Sequence, residues 1–147
     1  MKIEFCETVQ TDLDYVVANP FQEAVKEYPA MTAPENSWTC FFDGEIVAVG
    51  GVKLYFPGVG ESWVIMTKQS RKSGVFGLIA CRAISDKLDS IAAELHLRRC
   101  EANVREDFDT GIRFVEAIGF TFDGRRERWF PNYVTSLLYS KVYDVHE

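Results

Sequence analysis

The chain has 147 residues, the size of one ordinary domain and enough to bury roughly two thirds of its unfolded surface without disulfides or metal. A net charge of -6 and a sequence pI near 5.0 argue against broad nucleic-acid binding, because neutralising phosphates takes a concentrated basic surface. Hydrophobic residues make up 47% and aromatics 14%, with no low-complexity tract, which excludes a disordered chain. The apolar runs are too short for a membrane span, and "MKIEFCETVQ" alternates where a signal peptide needs a continuous apolar block, so the expectation is a soluble cytoplasmic protein. Cys6, Cys40, Cys81 and Cys100 form no CxxC pair, and His96 and His146 lie far apart; reduced thiols and no metal are expected.

Residues 2–8 alternate as a first strand, and "QTDLDYVVANPFQEAVKEY" reads as one or two short helices, with Thr11 or Asp12 as N-cap and Pro20 as a break. "WTCFFDGEIVAVGGVKLYF" is a β-hairpin turning at Asp43-Gly44, a dipeptide that tolerates positive φ; Gly50-Gly51 within it suggests a bulge or a close backbone approach. "PGVG" (57–60) turns the chain into a fourth strand, "ESWVIMT". Phe76, Ile79, Ala83, Leu88, Ile91, Ala92 and Leu95 recur mostly at threes and fours, which predicts a long amphipathic helix over 75–95. A strand at 97–104, a helix at 108–118 stopped by Gly119, and two strands at 120–130 and 133–143 complete a single domain with the order β-α-α-β-β-β-α-β-α-β-β.

Lys68, Arg71 and Lys72 crowd the junction between the fourth strand and the long helix, with no acid among them. A helix N-terminus presents free N–H groups and a positive dipole end, so phosphate is a natural guest; Gly74 and Gly77 would let the backbone approach it. Equally, Ser70 or Ser73 could cap an ordinary helix while the cations face water.

"RKSGVF" aligns Arg71 and Gly74 with the Arg/Gln-x-x-Gly-x-Gly/Ala loop that binds the CoA pyrophosphate in the GNAT N-acetyltransferases, with Phe76 where Gly or Ala is usual. "GIRFVEAIGF" resembles that family's Ala-x-x-(Leu/Phe)-Tyr-x-x-x-Gly-Phe segment through Gly111, Phe114, Gly119 and Phe120. The resemblance implies an α/β fold, the acyl-CoA N-acyltransferase (GNAT) fold with a mixed sheet flanked by helices. It also implies acetyl-CoA as acyl donor and an amine on a small molecule or protein as acceptor. The chain also resembles divergent acetyltransferase-like phage proteins, which implies an alternative: a non-catalytic virion component or host-protein binding module, found in the host cytoplasm or virion.

Carried onto this chain, the resemblance places the pantetheine arm on the backbone of Ile65, Met66 and Thr67, the pyrophosphate on Arg71, Lys72, Ser73, Gly74, Val75, Phe76 and Gly77, and Asn103 against the cofactor. Glu61 is the candidate base, since transfer to an amine requires a proton acceptor, with Glu101 in reserve. Glu61 is equally readable as a solvated strand-end carboxylate, and Asn103 as a turn cap. The family's acid, a Tyr, aligns with Val115, so Tyr139, chosen from Tyr133, Tyr139 and Tyr143, is the candidate replacement; tyrosines of a hairpin are also ordinary packing residues. "DGRRERWFPNY" fits an acidic acceptor, an exposed strand face or a homodimer contact. Phe21, Trp38, Tyr55, Phe56 and Trp63 either line an acceptor pocket or belong to the core.

Overall fold

The computed structural model describes residues 2–28, 32–71 and 74–144, without the side chains of residues 70–77. Among the described residues, seven strands hydrogen-bond in the order β1-β2-β3-β4-β5-β7-β6: β1 Ile3–Glu7, β2 Ser37–Phe42, β3 Glu45–Phe56, β4 Val59–Met66, β5 Arg99–Arg105, β6 Thr121–Arg126 and β7 Ser136–Val142. The helices are α1 Gln10–Ala18, α2 Gly74–Glu94 and α3 Asp109–Ala117. β4 and β5 run parallel, whereas β1–β2, β2–β3, β5–β7 and β6–β7 are antiparallel, so the sheet is mixed as expected. No described helix is long and apolar enough to cross a membrane.

The chain divides into two compact units, one of Met1–Lys53 with Trp63–Ala80, the other of Leu54–Ser62 with Cys81–Glu147. In the first, α1 presents Leu13 and Val16 to a core shared with Val25, Val49 and Ile65. Burying two such side chains contributes about 3–6 kcal/mol. The cap differs from expectation. Val9 holds the N-cap position, and Asp12, at N3, accepts the Val9 N–H at 3.4 Å and the Thr39 hydroxyl at 2.9 Å, tying α1 to β2. Beyond Pro20 the second helix is only a 3-10 turn, Glu23–Glu27.

Asp43 and Gly44 take φ of 48° and 82° and close the β2–β3 hairpin, as their identities require. The bulge falls between Cys40 and Phe41, not at Gly50-Gly51. Those glycines mark close approach instead. A Cβ on Gly50 would stand 2.6 Å from the Trp38 ring, and one on Gly51 would stand 2.6 Å from the Asn36 carbonyl oxygen.

In the second unit, Ile84, Leu88, Ile91, Leu97, Cys100, Val115, Ile118 and Phe120 are buried. α2 starts at Gly74 and α3 ends before Gly119, whose φ of 97° stops the helix as anticipated. β6 and β7 are shorter than the sequence suggests. Their connection contains a 3-10 turn, Pro131–Tyr133, and holds Arg128, Asn132 and Tyr133 at φ near 60°.

Candidate active site

The second unit carries a polar network on one face of its strands. Register sets that face: Glu61 on β4 lies opposite Glu101 on β5, which lies opposite Ser140 on β7, and side chains alternate faces along a strand. Arg99, Glu101 and Asn103 therefore share the face with Glu61. Asn103 sits inside β5, two residues before its end, rather than capping a turn.

Both oxygens of Glu61 are engaged. The Tyr55 hydroxyl donates to Oε2 at 2.6 Å and the Asn103 amide donates to Oε1 at 3.1 Å. Asn103 is itself oriented, because its Oδ1 accepts the Ser136 hydroxyl at 2.8 Å. An amide fixed this way must turn its nitrogen toward Glu61. Tyr55 is the penultimate residue of β3, 43% exposed, and its phenol is pushed up to about 12, first by burial and then by the adjacent Glu61 carboxylate. It stays protonated and remains a donor through neutral pH.

Glu101 has a different surrounding. Arg99 donates Nε and Nη2 to its Oε2 at 3.0 and 2.9 Å, and Arg126 donates Nη2 to Oε1 at 3.2 Å. Arg99 also grips Asp123, whose carboxyl it holds below the usual range, and Arg126 lies 4.5 Å from the centre of the Trp129 ring. With two guanidiniums on its two oxygens, Glu101 is an ion-pair anchor. Two neighbouring arginines are engaged elsewhere: Arg98 donates to the Pro57 carbonyl at 3.2 Å and Arg125 pairs with Glu106 at 2.8 Å.

Tyr139 does not join Glu61. It pairs with Ala102, one residue out of phase with Glu101, and so faces the opposite side of the sheet. There it is buried, edge-on to Phe122, with its hydroxyl donated to Glu116 at 3.2 Å. Burial first, then the Glu116 charge, raises its pKa. The tyrosine that meets Glu61 is Tyr55, which sequence reasoning placed among pocket or core aromatics. The available signal was a Tyr six residues before a Glu across the Pro57-Gly58 turn.

The expected cofactor residues lie mainly in the first unit. Ile65 is buried in its core, and the Met66 carbonyl accepts the Phe21 N–H at 2.7 Å. The Thr67 N–H donates to the Val47 carbonyl at 2.9 Å, so this donor is withdrawn from the three expected to hold a pantetheine. Arg71 ends a 3-10 turn, Lys68–Arg71, and Gly74 opens α2, with Val75, Phe76 and Gly77 in its first turn. Lys72 and Ser73 lie outside the described residues. No acid occupies that first turn, which suits the positive end of a 21-residue helix to an anion. β4 and β5 pair only from Val59–Arg99 to Glu61–Glu101, though β4 runs on to Met66 and β5 to Arg105.

A seven-stranded mixed sheet flanked by helices superposes on solved acetyltransferase structures. This chain has the GNAT fold. The GNAT-family acetyltransferase of Streptococcus pneumoniae superposes with a TM-score of 0.70 at 13% identity, covering 97% of this chain and 100% of that one. Ard1 of Thermoplasma volcanium gives 0.74 at 17% identity over the whole of both chains. YncA of Salmonella typhimurium, solved with its cofactor acetyl-CoA, gives 0.72 at 12% identity over 98% and 95%. No protein-family model and no curated protein matches the sequence. At these identities the likeness to the GNAT structures establishes the fold, and the chemistry rests on the residues themselves.

Proposed function

We propose that the protein transfers an acetyl group from acetyl-CoA to an amine of a small molecule or protein, with Glu61 as the proton acceptor. The observation that carries this reading is the setting of Glu61: the last paired position of β4 against β5, its carboxylate oriented by two side-chain donors. An oriented carboxylate is what amine attack requires. The acceptor nitrogen bonds to the thioester carbonyl carbon, sheds a proton toward Glu61, and the C–S bond breaks as the tetrahedral centre collapses. An alkyl thiol is acidic enough to leave as a thiolate, which is then protonated from solvent. That chemistry tolerates Val115 in place of the acid.

Three features support the donor assignment: the GNAT fold, the acid-free first turn of α2, and Arg71 and Gly74 at the entry to it. The backbone of Ile65 and Met66 supplies the pantetheine contacts in this reading, and Asn103 acts on Glu61 rather than on the donor. The four cysteines are free thiols, consistent with work in a reducing compartment.

Calorimetric titration with acetyl-CoA, compared with dephospho-CoA, tests the reading, followed by thiol release from acetyl-CoA across a panel of amines. Saturable binding lost in Gly74→Glu, together with amine-dependent thiol release, is the expected result. A folded protein that fails to bind at millimolar acetyl-CoA would overturn it and favour the non-catalytic role, as a virion component or host-protein binding module, implied by the phage resemblance.

A further inference from the structure

Glu61 presents a chemical difficulty if it takes the amine proton directly. Oε2 is covered by the Tyr55 hydroxyl at 2.6 Å and Oε1 by the Asn103 amide at 3.1 Å. The two coverings differ in kind. Asn103 is locked by Ser136, and an amide nitrogen can neither accept nor pass on a proton in this setting. Tyr55 is a hydroxyl, with both a proton to give and lone pairs to receive one, and it is 43% exposed. Of the two groups touching Glu61, it is the only one able to transmit a proton.

We infer that Tyr55 is a proton relay between the acceptor amine and Glu61. As the nitrogen bonds to the thioester carbon, its proton passes to the Tyr55 Oη, and the hydroxyl proton of Tyr55 passes to Glu61 Oε2. One proton arrives at Tyr55 and one leaves, so the phenol ends neutral and Glu61 ends protonated, to be reset by solvent. The phenol, pushed up to about 12, does not ionise on its own near neutral pH, which suits a relay and disqualifies it as the base. Arg126, held by Glu101 and stacked on Trp129, is a second charged group acting on the same hydroxyl.

This inference rests on the proposed acetyl transfer, and its test separates the two. Tyr55→Phe keeps the ring on a half-exposed strand end and removes only the hydroxyl. Thiol release with a saturating amine is measured for the wild type and Tyr55→Phe, in water and in mixtures with heavy water, alongside calorimetric acetyl-CoA affinity and the melting temperature. The relay predicts a fall of about 100-fold or more in kcat with unchanged acetyl-CoA affinity and melting temperature. It also predicts a curved dependence of wild-type kcat on deuterium fraction, from two protons in flight, that becomes linear in the variant. An active wild type with a linear dependence, or a variant within twofold of it, would overturn the relay alone. A mere positioning role would lower kcat and leave the wild-type dependence linear. A wild type that releases no thiol with any amine would overturn the transfer and the relay together.

Discussion

Replacing Glu101 with Gln isolates what the arginine pairs contribute. The glutamate accepts three charged hydrogen bonds, two from Arg99 on Oε2 and one from Arg126 on Oε1, and its side chain is 13% exposed. A glutamine has one oxygen. Turned toward Arg99 it keeps two neutral-acceptor bonds and sets its NH2 against the Arg126 guanidinium, donor to donor; turned the other way it opposes Arg99. Breaking a buried ion pair costs about 3–5 kcal/mol. The guanidiniums are 32% and 28% exposed and can turn to water, so the cost falls to about 2 kcal/mol. With a urea m-value of about 2 kcal/mol per molar for a domain of this size, the unfolding midpoint drops by about 1 M. Tryptophan fluorescence follows the transition, and Trp129, released with Arg126, adds a shift in the native baseline. A midpoint and baseline equal to the wild type would refute the reasoning.

Gly51→Ala is expected to destabilise by about 1–3 kcal/mol, measured by urea unfolding, because its Cβ would stand 2.6 Å from the Asn36 carbonyl oxygen and 2.9 Å from Ser37 Cα, backbone atoms that cannot rotate aside. Tyr139→Phe is expected to leave kcat and its pH profile unchanged in a steady-state assay, since the hydroxyl serves Glu116 on the far face. Alkaline pH is expected to weaken the fold through the thiols. Burial raises Cys40 from 9.0 to about 12 and Cys100 to about 11, so the stabilisation is complete below pH 9.0 and is lost as pH rises toward the folded values. For Cys40 alone this amounts to about 3 kcal/mol by about pH 11, checked by unfolding midpoints across that window and by Cys40→Ala, which leaves only the smaller Cys100 dependence.

Much of the fold was legible because local chemistry dictated it. Asp43-Gly44 demanded a hairpin, Gly119 a helix stop, and the spacing from Phe76 to Leu95 a long helix, and each stands within a residue or two of its expected place. What depended on neighbours was not legible. Gly50 and Gly51 announced that something comes near, but only the fold shows that it is Trp38 and the Asn36 backbone. The site divides the same way. Glu61 and Asn103 were marked by position along a resemblance. The partnership of Tyr55 with Glu61, the capture of Glu101 by arginines and the exile of Tyr139 to the other face follow from register, where a shift of one residue reverses every side chain.

The connection from β6 to β7 places Arg128, Asn132 and Tyr133 in left-handed backbone, where a non-glycine residue carries about 1–2 kcal/mol of steric strain. Glycine would serve the backbone at these positions without the steric cost. Glycine at Arg128 or Tyr133 would relax the loop while β6 and β7 keep their register. Trp129 in the same loop rests against Arg126, so any change in this turn is felt by the arginine that holds Glu101.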